Sequence, residues 1–103
     1  MPPRKSFPAL PKTLMAPGGE VTITLAPKIK HPDGDECWGI YDDATRAITL
    51  DKTATRRHLW RVLYHELTHV ALCDAGLDNG MNHELVEAVC DAIASARMRE
   101  RFG

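Results

Sequence analysis

The spacing of apolar residues changes near residue 55, and this change constrains the fold more than any other feature. Before it, Val21, Ile23 and Leu25 alternate with Thr22 and Thr24, which is the two-residue period of a β-strand with one buried face. After it, apolar residues recur every three or four positions, at Leu59, Leu63, Leu67 and Val70. That spacing is typical of an amphipathic helix. A chain with strands first and helices second is predicted to be an α+β domain.

The prolines suggest where the folded domain begins. Residues 1–19 hold five of the seven prolines and end in Gly18-Gly19, so they are predicted to be an extended lead-in without regular structure. The domain itself is then expected to span residues 20–103 as a single unit with one core. Within it, three short stretches have strand character: residues 21–26, 38–41 and 47–50. They predict a small, mostly antiparallel sheet of about three strands.

Two helices are predicted after the strands. The first runs from Arg56 to about Cys73, with Thr53 or Thr55 as a capping residue and Gly76 where a helix stop is expected. The second runs from about residue 82 to residue 101. Its expected apolar stripe consists of Val86, Val89, Ile93 and Ala96.

The composition argues against several classes of partner. A net charge of −1 and a pI near 6.5 do not provide the basic face that nucleic acids or anionic membranes require. Arg97, Arg99 and Arg101 are expected to face solvent and to offset the negative end of a helix dipole. We see no signal peptide and no run of 18 apolar residues, so no membrane span is predicted. Three cysteines without close pairing favour a reducing cytoplasm.

The stretch His65-Glu66-Leu67-Thr68-His69 lies inside the first predicted helix. Residues four apart share a helix face, so both imidazoles can bind one ion near 2 Å, as tetrahedral zinc requires. Glu66 projects beside that face, where it can contact a water on the metal. The pattern predicts one zinc ion per chain, held by His65 and His69, with Glu66 as a catalytic base. The alternative is two surface histidines without a ligand.

A catalytic zinc site needs a third protein ligand. We favour Glu87 because Asp91 follows it by one helical turn. Such an aspartate can accept a hydrogen bond from the far nitrogen of His65, which fixes the tautomer of that ligand. The same offset from Glu84 reaches only Ala88. The weaker candidates for the third ligand are Glu84, Asp74 and Asp78.

The two motifs together, His65-Glu66-Leu67-Thr68-His69 and Glu87-Ala88-Val89-Cys90-Asp91, resemble the gluzincin clan of metallopeptidases. In thermolysin-like members of that clan the third ligand is a glutamate, with an aspartate four residues later. The short chain and the strand Gly39-Ile40-Tyr41 look more like minigluzincins and the small peptidases of the ImmA/IrrE type. The resemblance covers roughly residues 38–96 and implies a zincin-like fold. Neither the backing helix of minigluzincins nor the C-terminal subdomain of thermolysin-like enzymes is predicted from these residues.

These features predict hydrolysis of a peptide or protein substrate by a zinc-activated water, with Glu66 as general base. The alternative function is a zinc-stabilised interaction or regulatory module with little turnover. Cys73 and Cys90 are expected to be small buried residues rather than ligands. Four residues are candidates for stabilising the oxyanion: Tyr41, His58, Tyr64 and His83.

Overall fold

A computed structural model describes residues 7–103, apart from the side chain of Asp78. The elements, in chain order, are strands β1 (Thr13–Ala16), β2 (Gly19–Ala26), β3 (Gly39–Asp42) and β4 (Ala47–Asp51), then helices α1 (Arg56–Asp74) and α2 (His83–Phe102). A short 3-10 helix, Asp78–Gly80, joins the two helices. The α+β class is as predicted, and both helices lie within one or two residues of their expected bounds.

The sheet differs from the prediction in strand number and in topology. It has four strands in the order β1-β2-β4-β3. β1 with β2 and β3 with β4 are antiparallel hairpins, whereas the central strands β2 and β4 are parallel, with Ile23 opposite Ile48. The β3–β4 hairpin places its second strand beside β2, and this makes the central pair parallel. The result is a mixed sheet in which β1 and β3 are the two edges.

The additional strand, β1, falls in the segment predicted to be a lead-in without regular structure. That prediction is wrong for residues 13–16, which contain no proline and pair with β2 so that Leu14 lies opposite Val21. Gly19 completes the turn with φ 132°, a conformation that glycine adopts without a steric penalty. Before β1 the chain is extended, and the Trp60 indole donates a hydrogen bond to the Pro8 carbonyl (2.8 Å). Residues 1–6 of the predicted lead-in lie outside the described part of the chain.

The core lies between one face of the sheet and α1. Val21, Ile48 and Leu50 from the sheet are fully buried together with Leu63 and Val70 from the helix. The apolar stripe predicted for α1 is therefore confirmed. The alternation predicted for β2 is confirmed at Val21 and Ile23, whereas Leu25 is 48% exposed. Burying these aliphatic side chains contributes about 1.5–3 kcal/mol each to the stability of the domain.

The ends of α1 follow the local chemistry of the sequence. Thr55 is the N-cap, and its side chain accepts a hydrogen bond from the backbone N–H of His58 (3.2 Å). At the other end Gly76 has φ 73°, and its N–H donates to the carbonyl of Cys73 (3.0 Å). A glycine in this left-handed conformation is the common way to end a helix, so the predicted stop is confirmed.

The predicted apolar stripe of α2 is correct at Val86 but follows the wrong face of the helix beyond it. The fully or nearly buried residues are Val86, Cys90 and Ala94, whereas Ile93 is 40% exposed. Small side chains such as those of Cys90 and Ala94 let two helices approach closely. The face of α2 that packs against α1 is therefore not the face with the bulkiest aliphatic residues.

Candidate metal centre

The two helices are antiparallel and bring their polar side chains together in steps of one turn. His69 lies against Glu87, and His65 lies against both Glu87 and Asp91. One turn further, Arg61 donates to the hydroxyl of Ser95 (3.2 Å). Each four-residue step along α1 is thus matched by a four-residue step along α2, and the site is built entirely from these two helices.

One carboxylate faces both histidines. Oε1 of Glu87 lies 2.9 Å from Nε2 of His69, and Oε2 of Glu87 lies 3.1 Å from Nε2 of His65. The two imidazole rings are 5.0 Å apart between centroids. The side chains of His65, His69 and Glu87, the three ligands predicted from the sequence, therefore converge on one place.

Asp91 decides which nitrogen of His65 carries a proton. Its Oδ1 lies 2.8 Å from Nδ1 of His65, and an ionised carboxylate can only accept a hydrogen bond, so Nδ1–H is the donor. A neutral His65 then presents a lone pair on Nε2 towards the Glu87 carboxylate. An imidazole nitrogen and a carboxylate oxygen 3.1 Å apart attract each other when either a proton or a metal ion lies between them, so this donor set can hold a metal ion.

Cys90 belongs to the same cluster. The ligand atoms of His65, His69 and Cys90 all lie within 4.8 Å of one another, a spacing from which they could hold a metal ion. Cys90 is fully buried, as predicted. Burial, with the nearby charges of Glu87 and Glu66, raises the pKa of its thiol to about 12. The sequence did not indicate Cys90 as a ligand, because the Cys-x-x-Cys spacing that commonly marks cysteine ligands of zinc is absent.

Glu66 is buried beside the histidines, with only 9% of its surface exposed. Burial raises the pKa of its carboxyl to about 7, while the adjacent His65 lowers it and Glu87 raises it. Burial also lowers the pKa of His69, which favours the neutral imidazole. The charge of Glu87 raises this pKa, whereas His65 and His83 lower it further. The centre thus combines a base with a pKa near neutrality and a neutral imidazole, the form of histidine that binds metals.

The centre opens into a groove of about 930 Å³ whose walls are β3, the loop before it, α1 and the start of α2. β3 and α1 are in close contact at Gly39. A Cβ atom at this position would lie 2.5 Å from Cγ1 of Val62 and 3.4 Å from Cγ of Glu66. The absence of a side chain at Gly39 therefore lets the edge strand lie directly against the helix that carries Glu66.

β3 presents its free edge to this groove. The N–H of Asp51 donates to the carbonyl of Trp38 (2.8 Å), and hydrogen-bonded pairs alternate along an antiparallel ladder. The backbone groups of Ile40, two residues on, therefore face β4. Those of Gly39 and Tyr41 point away from β4.

Two of the three weaker ligand candidates lie elsewhere. Glu84 is exposed and is not one of the described residues that line the groove. Asp74 forms an ion pair with Arg46 (2.8 Å) and accepts a hydrogen bond from the N–H of Gly18 (2.8 Å). Asp78 lies outside the described side chains, so its placement as a ligand is not tested.

Of the four oxyanion candidates, three line the groove: Tyr41, His58 and His83. Tyr64 does not, because its hydroxyl accepts a hydrogen bond from Arg101 (3.0 Å) and it lines a different groove. Among the described residues, the hydroxyl of Tyr41 and Nε2 of His58 are buried without a hydrogen-bond partner.

No protein-family model, curated protein or solved structure matches this chain. Neither helix within residues 7–103 combines the length and the apolar character needed to cross a bilayer. The metal centre and its groove are therefore the basis for assigning a function.

Proposed function

We propose that this protein is a zinc-dependent metallopeptidase of the gluzincin type, related in design to the small minigluzincin and ImmA/IrrE domains. The observation that carries the proposal is the convergence of His65, His69 and Glu87 beside the buried carboxylate of Glu66. A purely structural site has no use for a buried carboxylate next to its ligands, whereas a hydrolase requires a base there.

His65, His69 and Glu87 would hold the metal, and two imidazoles with one carboxylate favour zinc. Glu87 is a better third ligand than Cys90 because both of its oxygens already lie within 3.1 Å of an imidazole nitrogen. Cys90 would first have to lose a thiol proton whose pKa is raised to about 12. Asp91 would orient His65 and increase the basicity of its Nε2.

Bound zinc would polarise the scissile carbonyl and acidify a water molecule. Glu66 would accept the proton of that water during its attack on the carbonyl carbon. It would then donate the proton to the nitrogen of the departing amine. In the metal-free protein burial raises the pKa of this carboxyl to about 7, and a bound cation would favour its ionised form, which is the form that accepts a proton.

The substrate would bind as an extended peptide along β3. The outward-facing N–H and C=O groups of Gly39 and Tyr41 can pair with it as an added strand. Tyr41, His58 and His83 remain the candidates for stabilising the oxyanion. The groove is open and has few walls, so we expect one specific protein target rather than broad digestion.

The deciding experiment first identifies a protein that the wild type cleaves, and then compares wild type with Glu66→Gln for zinc content and for cleavage of that protein. Glu66→Gln should bind zinc normally and cleave at least about a hundredfold more slowly, because the amide cannot accept a proton. Glu84→Gln is the matched control, since it makes the same change at an exposed position, and it should cleave at the wild-type rate. Cleavage that is undiminished in Glu66→Gln would contradict the assigned base.

A zinc-stabilised interaction module is the second candidate, and the position of Cys90 favours it. Two histidines, Glu87 and Cys90 together would supply four ligands and fill a tetrahedral site, as structural zinc sites do. Cobalt substitution separates the two functions. A sulfur-to-cobalt charge-transfer band that disappears in Cys90→Ala would indicate the closed structural site. If that band is absent and cleavage depends on Glu66, the result would indicate the peptidase.

A further inference from the structure

A second groove, of about 480 Å³, lies at the β1 edge of the sheet. It runs between β1, the outer side of α1 and the last turns of α2. Its walls are apolar and aromatic apart from two arginines, and the residues that matter here are Leu14, Met15, Trp60, Tyr64, Arg97 and Arg101. None of the residues of the metal centre lines it.

The two arginines are held over the aromatic floor. The guanidinium of Arg101 lies 4.3 Å from the centre of the Trp60 ring and donates to the hydroxyl of Tyr64 (3.0 Å). The guanidinium of Arg97 lies 5.4 Å from the centre of the Tyr64 ring. Cation–π contacts of this kind fix the position of a positive charge without neutralising it. The sequence had suggested only a solvent-exposed, dipole-compensating role for these arginines.

The charge of this groove is one-sided. Within the described chain no carboxylate lines it, so both positive charges are available to a ligand. A ligand that complements the groove must therefore combine apolar groups with negative charge. Residues 1–6 of this chain do not meet that requirement, because they include Arg4 and Lys5 and no acidic residue.

The β1 strand adds free backbone groups to the same groove. The N–H of Ile23 donates to the carbonyl of Lys12 (2.8 Å), and the alternation of an antiparallel ladder then turns the groups of Thr13 and Met15 away from β2. β1 is the outermost strand on this side. An edge with outward-facing N–H and C=O groups is a site for pairing with an extended peptide.

We propose that this groove is a second peptide-binding site, and that it binds an extended segment with aliphatic and acidic side chains on one face. The aliphatic groups pack on Leu14 and on the exposed side chain of Met15, the carboxylates pair with Arg97 and Arg101, and the backbone pairs with β1. The site does not depend on the metal centre or on its activity. It would let the protein hold a partner or a remote part of a substrate.

The test uses fluorescence anisotropy with a labelled peptide of sequence Leu-Thr-Glu-Thr-Leu-Thr-Glu, capped at both ends, and a matched peptide with Gln in place of Glu. The Glu peptide should bind more tightly by roughly tenfold, and the difference should shrink as salt is raised. Mass spectrometry after the titration verifies that the peptide is intact. Equal affinity for the two peptides, or no binding of either, would overturn the proposal.

Two arginines on the same helix provide the matched variants. Arg97→Gln should weaken binding of the Glu peptide roughly threefold or more, whereas Arg99→Gln should leave it unchanged because Arg99 lies outside this groove. Thermal melting of both variants verifies folding. Identical losses in the two variants would show that the attraction is only the general charge of the helix, and would refute the assigned site.

A substitution in β1 tests the strand pairing. Met15→Pro removes an N–H that points away from β2, so the internal ladder keeps its hydrogen bonds. Met15→Ala is the control, because it removes only the side chain. Met15→Pro should bind the Glu peptide more weakly than this control. Two other outcomes would replace the proposal. Strong binding to phosphatidylglycerol vesicles without peptide binding would indicate a membrane surface, and an Arg97-dependent dimer in sedimentation velocity would indicate a second copy of the chain.

Discussion

The buried carboxylate of Glu66 should make the metal-free protein less stable as the pH rises, and Glu66→Gln should remove that cost. The pKa of this carboxyl is raised from 4.5 to about 7, chiefly by burial. Between these two values the folded chain keeps a proton that the unfolded chain has released. The free energy of unfolding therefore falls as the pH increases through this window.

The magnitude follows from the size of the shift. One pKa unit corresponds to 1.36 kcal/mol, so a shift from 4.5 to about 7 amounts to about 3 kcal/mol once the pH is well above 7. At pH 5 the same shift costs only about 1 kcal/mol. Glutamine has nearly the same shape and never ionises, so its contribution stays constant. The gap between the variant and wild type should therefore widen from about 1 to about 3 kcal/mol between pH 5 and pH 8.

The assay is urea denaturation of both proteins at several pH values in the presence of a chelator. We compare the difference in unfolding free energy between the two proteins, because His69 gives this free energy a pH dependence of the opposite sign. Burial lowers the pKa of His69, so its contribution rises with pH, and it cancels when both proteins retain this residue. Adding zinc should narrow the gap, because a nearby cation favours the ionised form of Glu66. A gap that is constant across this pH range, or that favours wild type, would refute the burial of this carboxylate.

Three further predictions concern other parts of the centre. Gly39→Ala should destabilise the protein by about 1–3 kcal/mol through overpacking, since a Cβ there would lie 2.5 Å from a side-chain carbon. In a melting experiment the control Gly80→Ala should have little effect, because no atom lies within 4 Å of a Cβ at that position. Glu87→Ala should weaken zinc affinity far more than Glu84→Ala in a competition titration, and the reverse order would move the ligand one turn along α2. Asp91→Asn should weaken zinc binding roughly 10–100-fold while leaving the fold intact, and an unchanged affinity would remove its orienting role.

The features that the sequence predicted well are those encoded over short distances. The motif from His65 to His69, the Thr55 cap and the Gly76 stop depend on residues within one or two helical turns. The pairing of Asp91 with His65 was also expected, because it requires only that two amphipathic helices pack side by side in register. Spacing along each helix was enough to bring these residues to one place.

Two features were missed for different reasons. The strand Thr13–Ala16 pairs with β2 across a tight turn at Pro17 and Gly18, but the prolines on both sides of it favour an extended lead-in when the sequence is considered alone. The buried face of α2 was missed because the closeness of the two helices favours Cys90 and Ala94 over the larger Ile93. That choice also brought the Cys90 thiol into the metal cluster, which no spacing rule for cysteine ligands would have suggested.

The connection between β2 and β3, residues 27–38, supplies one wall of the groove through His31, Pro32, Cys37 and Trp38. It contributes no residue to the fully buried core, which belongs to the strands and helices. Lengthening a surface loop costs little free energy, about 0.6 kcal/mol for each doubling. This wall of the groove can therefore change by insertion and deletion while the two helices stay unchanged. In engineering terms, this loop is where the shape of the groove can be altered without putting stability at risk.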